Sequence, residues 1–202
     1  FLLLAVVVYG GLFYFTSQRF TNWAEFGERV VVADSDAKEY VLLGQNIFEA
    51  QRFTRNLAVA NEPEVFRTPG YPFLAGLWLQ VFNSPASLIF LNLFFILGTG
   101  LIIYLIGYSL GSKWLGAAAS LFYLLDPTTI FNSLFALSDL AFVFLFLLAV
   151  YLLWFKNTVS LTSTFFNSLL LATSILIRPI AIFAAPVVII GYLILQRDSW
   201  RG

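Results

Sequence analysis

Residues 68–112 contain no Asp, Glu, Lys or Arg, and within them residues 85–110 form one long apolar run. A helix rises ~1.5 Å per residue and the hydrocarbon core of a bilayer is ~30 Å thick, so about 20 apolar residues are enough to cross it. Such a run leaves the chain few options, because in lipid each backbone N–H and C=O must be satisfied within its own segment. Helix is expected here, and the same argument extends to the other apolar runs. Only 11% of the residues are charged, against about 25% in ordinary soluble domains. That balance belongs to a membrane protein.

The apolar runs divide the chain. Residues 1–16 form a first span, ~24 Å long as helix and therefore somewhat short. The start in mid-run and the lack of any Met read as a piece of a longer protein. No A-x-A-like cleavage site follows, so a retained anchor is expected rather than a signal peptide. Residues 17–84 are a polar insertion holding eight of the eleven acids and six of the eleven bases. Residues 85–196 carry spans 2–6, divided at Lys113, near residues 132–138, at 156–163 and at Arg178-Pro179. Residues 197–202 are a basic tail. The expected fold is an all-α membrane protein, a single domain over 1–202 with six transmembrane helices and one large loop. Lys113, Lys156, Arg197 and Arg201 fall on one side, cytoplasmic by the positive-inside rule, which leaves the insertion extracytoplasmic. Asp139 and Arg178 then lie near the outer end of their spans, and Asp126 partway towards it.

The chain has no Cys and no His. That removes disulfides, thiolate nucleophiles, a Ser-His-Asp triad and ordinary zinc sites. A metal, if used, has to be a hard divalent cation held by carboxylates. Zero net charge gives no footprint for nucleic acid.

Within the insertion, Asp36 stands three residues before Glu39, a capping-box spacing that predicts a helix capped by Asp36. Tyr40, Leu43 and Ile47, with Val41 and Phe48, mark its apolar face, so an amphipathic helix lying in the membrane interface is expected. Residues 53–66 have no period and read as loop. Thr68-Pro69-Gly70-Tyr71 fits a type II turn, with Pro72 opening a helix through Phe82.

Charges inside apolar sequence cost ~2.5–3.5 kcal/mol at mid-membrane and are functional candidates. Asp139 is either such a residue or a helix-start acid behind a Ser138 cap. Asp126 reads as the cap of a helix opened by Pro127. Arg178 either snorkels to headgroups or binds an anion. Asp34 and Asp36 are loop carboxylates, and Arg67 sits beside a rigid turn.

Taken in order, Asp36 to Tyr40 as D-x-x-x-Y, Arg67 to Pro72 as R-x-P-G-Y-P, then Asp126-Pro127, Ser138-Asp139 and Arg178-Pro179 resemble the N-terminal half of the GT-C glycosyltransferases. Among these the protein O-mannosyltransferases and aminoarabinose lipid A transferases are similar, though such relatives commonly carry Glu where this chain has Asp139. The resemblance implies transfer of a sugar, with inversion, from a polyprenyl-phosphate donor to a lipid, glycan or protein acceptor. The reaction would take place at the outer face of a bacterial inner membrane. It implies Asp36 as the base with Asp34 second, and Arg67 and Arg178 on the donor phosphate. Asp139 would position acceptor or sugar, or help hold a divalent cation, and Tyr40 and Tyr71 would support the site. The residues alone leave open a transporter with an Asp139–Arg178 pair along its pathway, or an inactive scaffold. On the enzyme reading, Asp36, Arg67, Asp139 and Arg178 should converge on one cavity.

Overall fold

A computed structural model describes residues 2–59, 63–156 and 161–196; the tail with Arg197 and Arg201 lies outside them. Every regular element among the described residues is helical. In chain order they are α1 (Leu2–Ser17), α2 (Trp23–Phe26), a π-helical turn (Gly27–Val31), α3 (Ser35–Glu49) and α4 (Gly70–Phe82). A 3₁₀ turn (Pro85–Ser87) leads into α5 (Leu88–Ser109), followed by α6 (Lys113–Leu124), α7 (Pro127–Asn132), α8 (Ser138–Phe155), α9 (Leu161–Ile177) and α10 (Ala181–Gln196).

Local signals account for most boundaries. Asp126 caps α7 by accepting from the Thr129 N–H at 2.7 Å, with Pro127 in the first turn. Ser112 caps α6 in the same way. Asn83 ends α4 in the left-handed conformation, its N–H donating to Leu79 O. Three boundaries differ from expectation. The cap of α3 is Asp34, whose carboxylate accepts from the Asp36 N–H at 2.8 Å, while Asp36 lies inside the first turn. Residues 68–71 form no type II turn, because Pro69 has ψ −14° and Gly70 already begins α4. Pro72 falls within that first turn, where a missing N–H costs nothing. The residue before α8 is Leu137, and Ser138 does not cap the helix.

The polar insertion is thus mostly helical. The apolar face of α3 (Tyr40, Val41 and Leu43) is buried, and the helix packs on α4, where the interfacial expectation had placed lipid. Gly44 and Gly76 permit the close crossing, since a Cβ on Gly44 would stand 2.8 Å from Gly76 N. Each large apolar side chain buried there is worth roughly 1.5–3 kcal/mol. The pair sits on one end of the helical bundle. Ala136 N–H donates to Val31 O at 3.0 Å, and the Thr68 hydroxyl donates to Ile177 O at 3.0 Å. Inside the bundle, the Tyr9 hydroxyl donates to Leu124 O, and Asn92 Nδ2 donates to Ser133 O and Phe135 O.

Two helical segments, Pro85–Ser109 and Ser138–Phe155, are long and apolar enough to cross a membrane. The apolar helices Leu2–Ser17, Thr162–Ile177 and Ala181–Ile194 are shorter, and α6 has only 12 residues before it breaks at Asp126-Pro127. Two of the expected six spans meet that length among the described residues.

Candidate functional site

The site is built where α3 and the segment entering α4 meet the start of α8 and the end of α9. Asp34 starts α3 so that Asp36, Glu39 and Tyr40 leave its first turns on one side, the i, i+3, i+4 relation of neighbours on a helix. Arg67 reaches this face from the chain just before α4. Its NH1 and NH2 both donate to the Asp36 carboxylate, and its Nε donates to Glu39 Oε2 at 2.8 Å. The guanidinium also lies over the Tyr40 ring, 5.2 Å from its centroid. Burial works against the charge of Arg67, but the hydrogen bonds to Asp36 and Glu39 outweigh it and hold its pKa above the ordinary arginine value. It is a permanent cation.

Gly70 brings that segment against α9. A Cβ there would lie 2.6 Å from the backbone carbon and oxygen of Leu176, so only glycine lets the chains approach this closely. Arg178 follows α9 directly. Its Nε donates to Ser138 Oγ at 3.0 Å and its NH2 to Asp139 Oδ2 at 2.8 Å. Ser138 is fully buried, and its hydroxyl also shares a hydrogen bond of 3.2 Å with the Tyr40 hydroxyl. One serine therefore joins the two halves: Asp36–Arg67–Tyr40 on one side, Arg178–Asp139 on the other.

Between them lies a cleft of about 230 Å³ lined by Tyr40, Phe66, Arg67, Thr68, Ile177, Arg178, Pro179 and Ile180. Arg67 and Arg178 line it, and each is paired with a carboxylate, Asp36 and Asp139, that does not. Tyr71 stands behind Tyr40, ring edge to face at 5.0 Å. Its hydroxyl is buried with no hydrogen-bond partner among the described residues. Burial first, then the nearby Tyr40 and Asp139, push its pKa well above the usual phenol value. Tyr71 is a neutral packing residue.

Of the four charges expected to meet on one cavity, Arg67 and Arg178 line the cleft, while Asp36 and Asp139 do not and join it only through the hydrogen bonds those arginines donate to them. Asp34 is spent on the cap of α3 and Asp126 on the cap of α7; neither lines the cleft. Glu39 and Ser138 belong to the network but read from sequence as capping residues. The available signal for Glu39 was its position on the same helical face as Asp36 and Tyr40. Nothing local marks Ser138, whose partners lie 98 and 40 residues away. Among the described residues no three acidic side chains gather in a way that could hold a metal ion, and Asp139, a candidate for that task, is turned to Arg178.

A cleft with two guanidiniums at its wall can take an oxyanion by charge-assisted, bidentate hydrogen bonds. The carboxylates beside it can accept a proton once released from those cations. No protein-family model, curated protein or solved structure matches the chain.

Proposed function

We propose that the protein is an integral membrane glycosyltransferase, inverting, that moves a sugar from a polyprenyl-phosphate donor to an acceptor hydroxyl at the extracytoplasmic face of a bacterial inner membrane. The observation that carries this reading is the pair Arg67 and Arg178 on one cleft, at the junction of a polar segment and an apolar bundle. The membrane setting is supported by the two long apolar helices, whose apolar windows are 44% and 22% buried. A helix in the core of a soluble protein would be mostly covered. Large apolar side chains such as Phe90, Phe94, Phe122, Phe183 and Ile194 are exposed on the outside of the bundle, where lipid would cover them in a chain of six crossings.

In this scheme the acceptor oxygen attacks the anomeric carbon from the face opposite the phosphate, and the bond from that carbon to the phosphate oxygen breaks. The acceptor proton goes to Asp36. The donor's phosphodiester carries one negative charge and the departing polyprenyl phosphate two, so Arg67 and Arg178 stabilise charge that grows as the bond breaks. Asp139 positions Arg178 and the sugar or acceptor. The transporter reading shares the Asp139–Arg178 pair, but gives Arg67 and its two carboxylates no task.

The test is sugar transfer from a panel of labelled polyprenyl-phosphate sugars by wild-type and Asp36→Asn protein in membranes. Loss of a general base costs about 10²–10⁴-fold, so Asn at 36 should reduce transfer by that order while the protein stays inserted. Undiminished transfer by the variant removes Asp36 as the base.

A further inference from the structure

Asp36 has two duties in the proposed reaction that conflict. Its carboxylate accepts from both terminal nitrogens of Arg67, yet a carboxylate held in that way cannot receive a proton and Arg67 cannot grip a phosphate. The geometry of Arg67 points to a resolution. A guanidinium presents its donors on separate edges in a fixed fork, and the two edges here have different owners. The NH1/NH2 edge is on Asp36, and the Nε–H is on Glu39.

Glu39 in turn is braced from outside the cleft. Its other oxygen accepts from Arg55 NH1 at 2.9 Å, and Arg55 donates Nε and NH2 to Glu64. Glu64 then accepts from the backbone N–H groups of Phe66 at 2.6 Å and Arg67 at 3.1 Å. The result is a closed ring, Glu39–Arg55–Glu64–Arg67, that holds Arg67 by both its main chain and its Nε. No member of that ring except Arg67 lines the cleft.

We propose that Glu39 is the positioning residue of the donor-phosphate site. Braced by Arg55, it keeps Arg67 aimed into the cleft when the donor phosphate takes the NH1/NH2 edge and Asp36 is released as the base. This rests on the functional reading above and adds an order of events to it. The base is masked until the phosphate arrives, so water in an empty cleft finds no free carboxylate at Arg67.

The two acids then have opposite signatures. Removing Glu39 loosens Arg67 and weakens donor binding; removing the charge of Asp36 takes away a competitor of the phosphate and disables proton transfer. The experiment measures binding of a polyprenyl monophosphate to the protein in lipid nanodiscs, beside donor KM and kcat for sugar transfer. Glu39→Gln should weaken binding and raise donor KM about tenfold, the size of one charge-assisted hydrogen bond, with kcat changed less than about threefold. Arg55→Gln should give the same signature more weakly, and the double variant should fall short of the sum of the two single effects, because the Arg55–Glu39 contact is lost in both while the Arg55–Glu64 contact is lost only with Arg55. Asp36→Asn should bind the monophosphate at least as well as wild type while kcat collapses. If wild type binds and transfers but Glu39→Gln leaves binding and KM unchanged, the positioning role is overturned and the glycosyltransferase reading stands. If Glu39→Gln lowers kcat alone, Glu39 acts on chemistry and the positioning role is again overturned. Wild-type protein that neither binds the monophosphate nor transfers sugar overturns both.

Discussion

At the residue scale the site depends on one buried hydroxyl. Ser138 Oγ accepts from Arg178 Nε and is hydrogen-bonded to the Tyr40 hydroxyl, so it sets the separation of the two arginine-bearing halves. Ser138→Ala leaves the buried Tyr40 hydroxyl and the half-buried Arg178 Nε without that partner, at a cost of about 1–3 kcal/mol. The expected outcome is a lower thermal midpoint and a reduced transfer rate, with Tyr40→Phe reproducing only part of the rate loss because Arg178 keeps its serine. Equal stability of Ser138→Ala and wild type would mean the bridge carries no load. This residue also marks the limit of what could be read beforehand. Asp126 was legible as a cap because its partner, Thr129, is three residues on. The cap of α3 stands two positions before the one the spacing predicts, because Asp34 and Asp36 are both acceptable there, and Asp36 is bonded instead to Arg67, 31 residues further on. Arg67 and Arg178 could be named from their motifs. Their shared serine could not, since its pairing arises only when α3 docks on the start of α8.

At the scale of elements, the crossing of α3 over α4 decides where the acids stand. A Cβ on Gly44 would fall 2.6 Å from Pro72 O and 2.8 Å from Gly76 N, both backbone atoms that cannot swing away. Gly44→Ala should therefore push the helices apart, cost about 1–3 kcal/mol and carry Asp36, Glu39 and Tyr40 off the cleft. Gly10 and Gly11 on α1 have nothing within 4 Å of an added Cβ, and alanine at either should leave the thermal midpoint unchanged or raise it, as in an exposed helix interior. Unfolding curves in detergent for the variants compare the two cases directly. The helical character of the apolar runs was evident from their length and lack of charge. The π-helical turn at Gly27–Val31 was not, and neither was the start of α4 at Gly70. Pro-Gly in isolation favours a turn, but packing of Gly70 on the α9 backbone selects helix.

For the molecule as a whole, the contacts at one end of the bundle impose an alternation on the chain. A Cβ on Gly27 would touch Ala86 N, Val31 O accepts from Ala136, and Thr68 bonds to Ile177. Residues 27, 86, 136 and 177 are thus neighbours of the polar segment, and the chain must leave and return between them. From 86 it leaves along the 22 residues of α5, ~33 Å of helix, and turns at Lys113. It returns through α6 and α7, bent at Asp126-Pro127. From 138 it leaves along α8 to Lys156, and α9 brings it back. Lys113 and Lys156 are thereby at the end opposite Lys38, whatever medium surrounds the bundle, and in a bilayer that end is a different compartment. The helices shorter than a full crossing make this worth testing, because in the proposed membrane topology α6 with α7 would serve as one span. The chain has no cysteine, and Lys38, Lys113 and Lys156 are exposed, so each can be replaced singly by Cys and probed with a membrane-impermeant maleimide. Lys38→Cys should react in intact cells. Lys113→Cys and Lys156→Cys should react only after the membrane is opened, because α5 and α8 have each carried the chain across. Labelling of all three from the same side would mean that neither long apolar helix crosses the bilayer, and the cleft at Arg67 and Arg178 would then have no lipid-borne donor to meet.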